Sequence, residues 1–168
     1  MSTSPPKVAE RVDLARSLPF TSMLEEHELQ AFAKVLTLGR YAVNQTLFEA
    51  GQPAQKLCFV VSGQVTVSVR MGRSKKVVDT VEPGMMVGHT ALISRQVHDT
   101  TAVASKNTVA LELSREMFDR VLRSDAPLAL KLTIPIVTAC CRTARSNHQM
   151  LHGLYADPHG TLAELFVS

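Results

Sequence analysis

The stretch PGMMVGHTALI, residues 83–93, decides how the rest of the chain is interpreted. Gly84 and Gly88 allow a tight turn, and residues 90–92 are expected to begin a short helix. A turn that enters a helix in this way points unpaired backbone N–H groups at one spot, where the helix dipole adds positive potential. We therefore expect a backbone cradle for an anion at Thr90 and Ala91, with the Thr90 hydroxyl as a further donor.

Short β-type runs lie on both sides of this stretch. Residues 64–69 alternate valine with polar residues, as a strand with one buried face does. Residues 57–61 are almost continuously apolar and precede Ser62-Gly63, which indicates a central strand followed by a turn. Further strands are predicted at residues 77–81, 101–104 and 108–113.

Helical periodicity flanks the β region. Val8, Val12 and Leu14 predict a short helix, and residues 24–36 predict a second one that starts near Glu25. Beyond Ser114 a helix is expected over residues 117–122, and a longer one starts near residues 124–127 and runs to about Tyr155. Pro135 lies inside the long helix and is expected to kink it, because its ring removes a backbone hydrogen bond.

The motifs FEAG, residues 48–51, and LCFVVSGQV, residues 57–65, resemble the first β-hairpins of cyclic-nucleotide-binding domains. Residues 83–93 resemble the phosphate-binding cassette of that family, and we call them the cassette below. The resemblance covers residues 18–148. It implies a mainly β fold, a double-stranded β-helix (jelly-roll) with N-terminal helices and a long C-terminal helix. The expected divisions are a tail and short helix at 1–17, the domain at 18–150, and a tail at 151–168.

The resemblance also implies where a ligand would bind. In members that bind cyclic nucleotides, a cassette glutamate holds the ribose 2′-hydroxyl, and a later arginine pairs with the phosphate. Those positions are His89 and His98 here. Losing one partner of a buried charge pair costs about 2–5 kcal/mol, so cyclic AMP and cyclic GMP are not expected to bind at micromolar levels. The candidate ligand-binding residues are Gly84, Gly88, His89, Thr90, Ala91, His98, Thr100 and Thr101.

Three alternatives remain open at this pocket. Arg95 could replace the missing arginine, or His98 could be protonated by a bound phosphate, since an unperturbed histidine has a pKa near 6.5. The pocket could otherwise accept a different nucleotide or anion, or nothing. Thr138 and Cys141 are candidates to face a ligand from the long helix.

The long helix also carries an apolar stripe. Its members follow each other at steps of four, three, four and three residues, which is the period of a two-helix seam. These residues, which we call the seam, are Leu130, Ile134, Val137, Cys141 and Ala144. The resemblance to catabolite-activator-like regulators implies a homodimer through this helix. The alternative is that the same stripe packs on its own β-roll.

Composition narrows the function classes. The net charge is +3, and no apolar run is long enough to span a bilayer, so neither nucleic-acid nor membrane binding is implied. The three cysteines and the absence of a signal core favour the cytoplasm. The basic residues Arg70, Arg73, Lys75 and Lys76 are interpreted as a solvated hairpin tip or a contact for an anionic partner.

Residues 153–168 are too few for the family's DNA-binding helix-turn-helix, since an independent domain needs about 40 residues. Within them, residues 161–166 form a short amphipathic piece that could dock on the domain, stay disordered or bind a partner. His148 and His152 are spaced i, i+4 without a glutamate that would complete a zinc motif, so no metal site is predicted. Cys58 is interpreted as a core residue.

The sequence therefore predicts a stand-alone regulatory module without a certain cofactor, which acts through dimerisation and contact with a protein partner. One alternative is a sensor of a different nucleotide or anion, such as a cyclic dinucleotide, in a remodelled pocket. A remote alternative is a cupin-like enzyme with the same jelly-roll shape, although the chain has no H-x-H motif.

Overall fold

The structure is a computed structural model that describes residues 8–72 and 74–156, without the side chains of residue 150 and residues 153–156. Arg73 and the predicted amphipathic piece at residues 161–166 lie outside the described residues. In the described part, no helix is both long enough and apolar enough to cross a membrane.

The N-terminal helices form as the periodicity predicts. Helix α1 spans Val8–Arg16, a short 3-10 helix spans Pro19–Met23, and helix α2 spans Glu26–Val35. Pro19 separates the first two because it cannot continue a helix. The backbone N–H of Glu25 donates to the Glu28 carboxylate at 2.7 Å, so a glutamate three residues along satisfies the start of α2.

Eight antiparallel strands form two four-stranded sheets, which confirms the predicted jelly-roll. One sheet has the order β1-β8-β3-β6 and the other has the order β2-β7-β4-β5. The strands are β1 Leu36–Tyr41, β2 Thr46–Phe48, β3 Lys56–Ser62, β4 Val65–Met71, β5 Ser74–Val81, β6 Met86–Val87, β7 Thr101–Ala104 and β8 Thr108–Ser114.

Strand β3 is apolar on both faces because two cores meet at it. Leu57 and Phe59 belong to a core shared with the helices, whereas Cys58 and Val60 belong to the core between the sheets. All four are 0–1% exposed. Successive strand residues point to opposite faces, so a strand buried on both sides is continuously apolar.

Two helices complete the domain. Helix α4, Arg115–Ser124, starts where the Ser114 hydroxyl accepts the Met117 N–H at 3.2 Å. Helix α5 spans Ala126–Ala156 and continues through Pro135. The kink at Pro135 stays a prediction. A short cassette helix, α3 His89–Ser94, lies between β6 and β7.

Helix α5 has one face buried on the domain and one face open. Leu128, Leu132, Ile136 and Ala139 are 1–5% exposed and hold α5 against the core. The seam residues Leu130, Ile134 and Val137 are 66%, 50% and 52% exposed, and Cys141 and Ala144 are exposed too. The alternative that this stripe packs on its own roll is therefore wrong, because a different face of the helix does so.

An ion pair holds the first half of α5 to α2. The Lys131 ammonium lies 2.6 Å from the Glu28 carboxylate, whose side chain is only 7% exposed. Hydrogen bonds from the ammonium and from the Glu25 backbone lower the pKa of Glu28.

Candidate ligand-binding pocket

A cavity of about 470 Å³ lies where the cassette, the β4–β5 hairpin and α5 meet. Ligand pockets in proteins typically have about 300–1,000 Å³, so this one has room for a small molecule. The cassette and the loop after it contribute Gly88, His89, Thr90, Ala91, His98, Asp99 and Thr100. The remaining walls come from Phe48, from β4 to β6 and from the middle of α5.

The cassette turn has the predicted backbone. Gly84 and Gly88 have φ angles of +86° and +84°, a region that glycine adopts freely and other residues do not. The Gly84 N–H donates to the Val60 carbonyl at 2.8 Å, and the Val60 N–H donates to the Met85 carbonyl at 2.9 Å. These bonds fix the turn to β3. Gly88 directly precedes α3, so the first turn of this helix faces the cavity.

A side chain at position 88 would not fit. A Cβ there would lie 3.1 Å from the Lys56 carbonyl oxygen, 3.2 Å from the Phe48 ring and 3.5 Å from His98. Gly88 is therefore needed both for its backbone conformation and for the close approach of β3 and the two rings.

His98, at the family's arginine position, lies flat on Phe48. The ring centroids are 3.8 Å apart and the ring planes differ by 11°. Two hydrogen bonds fix the backbone of His98. Its N–H donates to the Gln52 carbonyl at 2.9 Å, and its carbonyl accepts the Gly51 N–H at 2.7 Å. The loop is thus fastened to the end of β2, and the imidazole has a defined place.

Burial makes His98 a neutral group. The residue is 4% exposed. Its burial, with a smaller effect of the Arg115 charge, lowers the pKa of His98 below its ordinary value, although Asp99 acts in the opposite direction. Position 98 therefore carries no fixed positive charge at neutral pH.

His89, at the family's glutamate position, is sealed under α5. The residue is 6% exposed, and neither ring nitrogen has a hydrogen-bond partner. Burial lowers the pKa of His89, and Arg142 lowers it further, while the Ala139 backbone and Asp79 act in the opposite direction. The Ala139 backbone does not reach hydrogen-bond geometry with either ring nitrogen of His89. His89 therefore fills the contact between α3 and α5 without offering its nitrogens to the cavity.

Several predicted site residues lie elsewhere. Gly84 lies beside Pro19, outside the cavity. The Thr101 hydroxyl accepts the Ala50 N–H at 3.1 Å and faces a separate surface depression. The proposed substitute Arg95 is exposed and lies 3.3 Å from Asp119 instead of entering the pocket.

Thr138 and Cys141, predicted to face a ligand from α5, do not line this cavity. Both lie on the exposed side of α5 and line other depressions. Thr143, Ser146 and Asn147 face the cavity instead. Their spacing of three and one residues places them on one side of the helix, and this polar stripe was a signal that the sequence offered.

The β4–β5 hairpin supplies charges that the sequence analysis interpreted as a solvated tip or a contact for an anionic partner. Arg70 and Lys76 line the cavity together with Asp79, and the cassette loop adds Asp99. Among the described residues, the charged lining thus consists of two cationic and two anionic side chains. Strand pairing brings Arg70 and Lys76 together, since β4 and β5 are hydrogen-bonded through residues 65–71 and 74–81.

Other candidate chemistry does not assemble at the pocket. Among the described residues, no three His, Cys, Asp or Glu side chains gather where a metal ion could bind. The rings of His148 and His152 lie 6.5 Å apart on α5. Cys58 is fully buried, and burial raises the pKa of its thiol to about 12, which suits a core residue.

Comparison with known proteins gives one family. The sequence profile of the cyclic nucleotide-binding domain matches residues 38–125, more than half of the chain. Glutaminase 2 of Bradyrhizobium diazoefficiens is 31% identical over 109 residues, which cover 65% of this chain and 17% of that protein. The chain therefore spans less than a fifth of that relative.

Solved structures have the same fold. A cyclic nucleotide-binding domain from Methylobacillus flagellatus has a TM-score of 0.73 at 18% identity, covering 86% of this chain and 82% of that one. The regulatory subunit of a cAMP-independent protein kinase A from Trypanosoma brucei has a TM-score of 0.65 at 20% identity, covering 82% of this chain and 48% of that one. At these identities the likeness concerns the fold alone.

Proposed function

This chain belongs to the cyclic nucleotide-binding domain family, and we propose that it is a regulatory module in which ordinary binding of cyclic AMP and cyclic GMP is lost. The module acts through dimerisation and contact with a protein partner. Its pocket and its closing helix α5 are retained, whereas the charged groups that would hold a cyclic phosphate and a ribose are replaced.

One observation carries this proposal: the two positions that would grip the nucleotide hold buried, uncharged imidazoles. His98 lies on Phe48 and lacks the charge that would pair with a phosphate. His89 has both nitrogens buried and cannot replace a carboxylate that holds a hydroxyl. A similar fold exists in a kinase regulatory subunit described as cAMP-independent, which is a precedent for the architecture without that ligand.

Dimerisation is proposed from the open face of α5. The seam residues have the period of a two-helix interface, and Leu130, Ile134 and Val137 expose half or more of their surface. The same helix places Thr143, Ser146 and Asn147 over the pocket. A ligand that contacts these three residues would therefore shift the helix that forms the dimer.

A second candidate function is a sensor of a different nucleotide or anion in the same pocket. Arg70 and Lys76 line the cavity and favour this function, because they are cations that could contact an anion. The family resemblance does not require cations at these two positions. A cyclic dinucleotide would have to reach these side chains with one of its phosphates.

Titration calorimetry with cyclic AMP, cyclic GMP, cyclic di-GMP and cyclic di-AMP tests both functions. We expect no saturation by the two cyclic mononucleotides at about 10 µM, which corresponds to about 7 kcal/mol of binding free energy. Tighter binding of either one overturns the proposed loss. Tight binding of a dinucleotide, lost in Arg70→Ala, would establish the second candidate instead.

A further inference from the structure

We infer that the pocket takes an uncharged ribonucleoside, with its base on the apolar wall and its hydroxyls on the neutral polar side chains. This inference rests on the proposed loss of cyclic-nucleotide binding and names the ligand class of the same cavity. It follows from three properties of the lining: an apolar side, a set of hydroxyl and amide groups, and charges that cancel among the described residues.

The apolar side is formed by strands of both sheets. Val67, Val69, Val78 and Val81 come from β4 and β5, and Met86 and Val87 come from β6. Val67 and Val69 lie two residues apart and therefore on one face of β4, and a planar base can bury its face against apolar side chains arranged in this way. A sugar or an amino acid alone would leave this side of the cavity uncovered.

The polar side is rich in neutral hydrogen-bonding groups. Thr90 and Thr100 come from the cassette region, and Thr143, Ser146 and Asn147 come from α5. A hydroxyl both donates and accepts, and an amide does so through separate atoms. The Thr143 hydroxyl donates to the Ala139 carbonyl at 3.2 Å, so it offers a ligand its acceptor side. The hydroxyls of a ribose and the edge of a base have the same dual character, so each can be paired without a charged partner.

Among the described lining residues, the charges at the cavity cancel. Arg70 and Lys76 are balanced by Asp79 and Asp99, and the two histidines are neutral at neutral pH. A cyclic mononucleotide carries a negative charge that must leave water on binding, and the described side chains that line the cavity offer no net positive charge in return. The corresponding nucleoside keeps the base and the ribose and avoids this cost.

The experiment compares each nucleoside with its own cyclic phosphate. The full chain is titrated with adenosine, guanosine, inosine, cytidine and uridine, and with their 3′,5′-cyclic monophosphates, at neutral pH and fixed salt. We expect at least one nucleoside to bind about tenfold or more tightly than its cyclic counterpart. Equal or tighter binding of every cyclic form, or no nucleoside binding up to about 1 mM, overturns the inference.

A matched pair of variants tests whether binding occurs in this cavity. Asn147→Leu removes an amide that lines it, whereas Gln149→Leu removes an exposed amide two residues away on α5 that does not line it. Asn147→Leu should weaken nucleoside binding about fivefold or more, and Gln149→Leu should leave it unchanged. Equal effects of both substitutions contradict the site.

The outcomes also separate the two proposals. If neither nucleosides nor cyclic nucleotides bind, the ligand class is wrong and the proposed loss of cyclic-nucleotide binding still holds. If a cyclic mononucleotide binds below about 10 µM and more tightly than its nucleoside, both fail together.

Discussion

The imidazole of His98 lies face to face on the ring of Phe48, with 3.8 Å between centroids and 11° between planes. Phe48 ends strand β2, and the loop that carries His98 precedes β7, the strand that pairs with β2. The stack therefore joins the scaffold to the part of the pocket where a phosphate would be paired. It also keeps the imidazole away from water.

Phe48→Leu should raise the pKa of His98 toward its ordinary value, because burial is the largest cause of its lowering. The measurement is an NMR titration of the imidazole protons in the folded protein. Phe20→Leu is the control, since Phe20 packs on Phe32 and Phe59 in the other core and does not touch His98. An unchanged His98 titration in Phe48→Leu would contradict the role of the stack.

The protein should lose stability in acid through its two buried histidines. Their folded-state pKa values lie below 6.5, so the unfolded chain binds more protons as the pH falls below 6.5. The stability that depends on the two neutral histidines is fully present above about pH 7, and it is lost as the pH falls from there toward the lowered pKa values of the folded protein. Urea unfolding from pH 8 to pH 5 measures it, and His98→Phe should flatten the slope. The prediction fails if the slope is the same in both proteins.

His89→Leu should leave the free energy of unfolding unchanged or raise it by about 1 kcal/mol. The reason is that both ring nitrogens of His89 are buried without partners, so an apolar side chain removes an unsatisfied group. Thr108→Val is the contrasting control, because the Thr108 hydroxyl accepts the Gln64 N–H at 3.1 Å. Removing this hydroxyl should lower the free energy of unfolding by about 1–2 kcal/mol. Chemical denaturation compares them, and a loss of several kcal/mol in His89→Leu would show an interaction that this geometry lacks.

The double substitution His89→Glu with His98→Arg should create binding of cyclic AMP or cyclic GMP. It restores the carboxylate and guanidinium that the family uses, on a cassette turn that already has the required glycines. The affinity for the cyclic nucleotide should rise about 30-fold or more, since a buried charge pair between the protein and the ligand is worth about 2–5 kcal/mol. Calorimetry on the double variant and on each single variant measures it. An unchanged affinity would mean that the backbone of the cassette is unsuitable as well.

Ile134→Glu should convert a dimer into a monomer. Ile134 is in the middle of the seam and is 50% exposed, so a charge there opposes burial in an interface while the isolated domain tolerates it. Leu122→Glu, on α4 and 44% exposed, is the control outside the seam. Sedimentation velocity over a concentration series reports the mass. The seam is excluded if the starting protein is monomeric at every concentration, or if both variants behave alike.

Periodicity was enough to predict most of the fold. Burial of particular faces leaves a regular pattern of apolar residues in the chain. Examples are the alternating valines of β4, the continuous apolar run of β3, which is buried on both faces, and the helical periodicity of α2. The cassette turn was also predictable, because Gly84 and Gly88 are required by backbone conformation.

The site was only partly predictable. Gly88, His89, Thr90, Ala91, His98 and Thr100 do line one cavity. Thr101 and Arg95 fall outside it, since neighbouring residues in a loop or strand point in different directions. Arg70 and Lys76 were predicted only as a solvated hairpin tip or a contact for an anionic partner, because a local pattern does not show which cavity a hairpin lines.

The sequence by itself determined the main helices and the strands β3, β4, β5, β7 and β8 in their order, together with the glycine-framed turn and the replacement of two charged positions by His89 and His98, since these depend on the chemistry of neighbouring residues. Only the tertiary structure decided that His98 stacks on Phe48, that His89 is sealed under α5 and that Thr143 rather than Cys141 faces the cavity. Those facts depend on how α5 is rotated and where distant strands pair, and both are set by packing of the whole core.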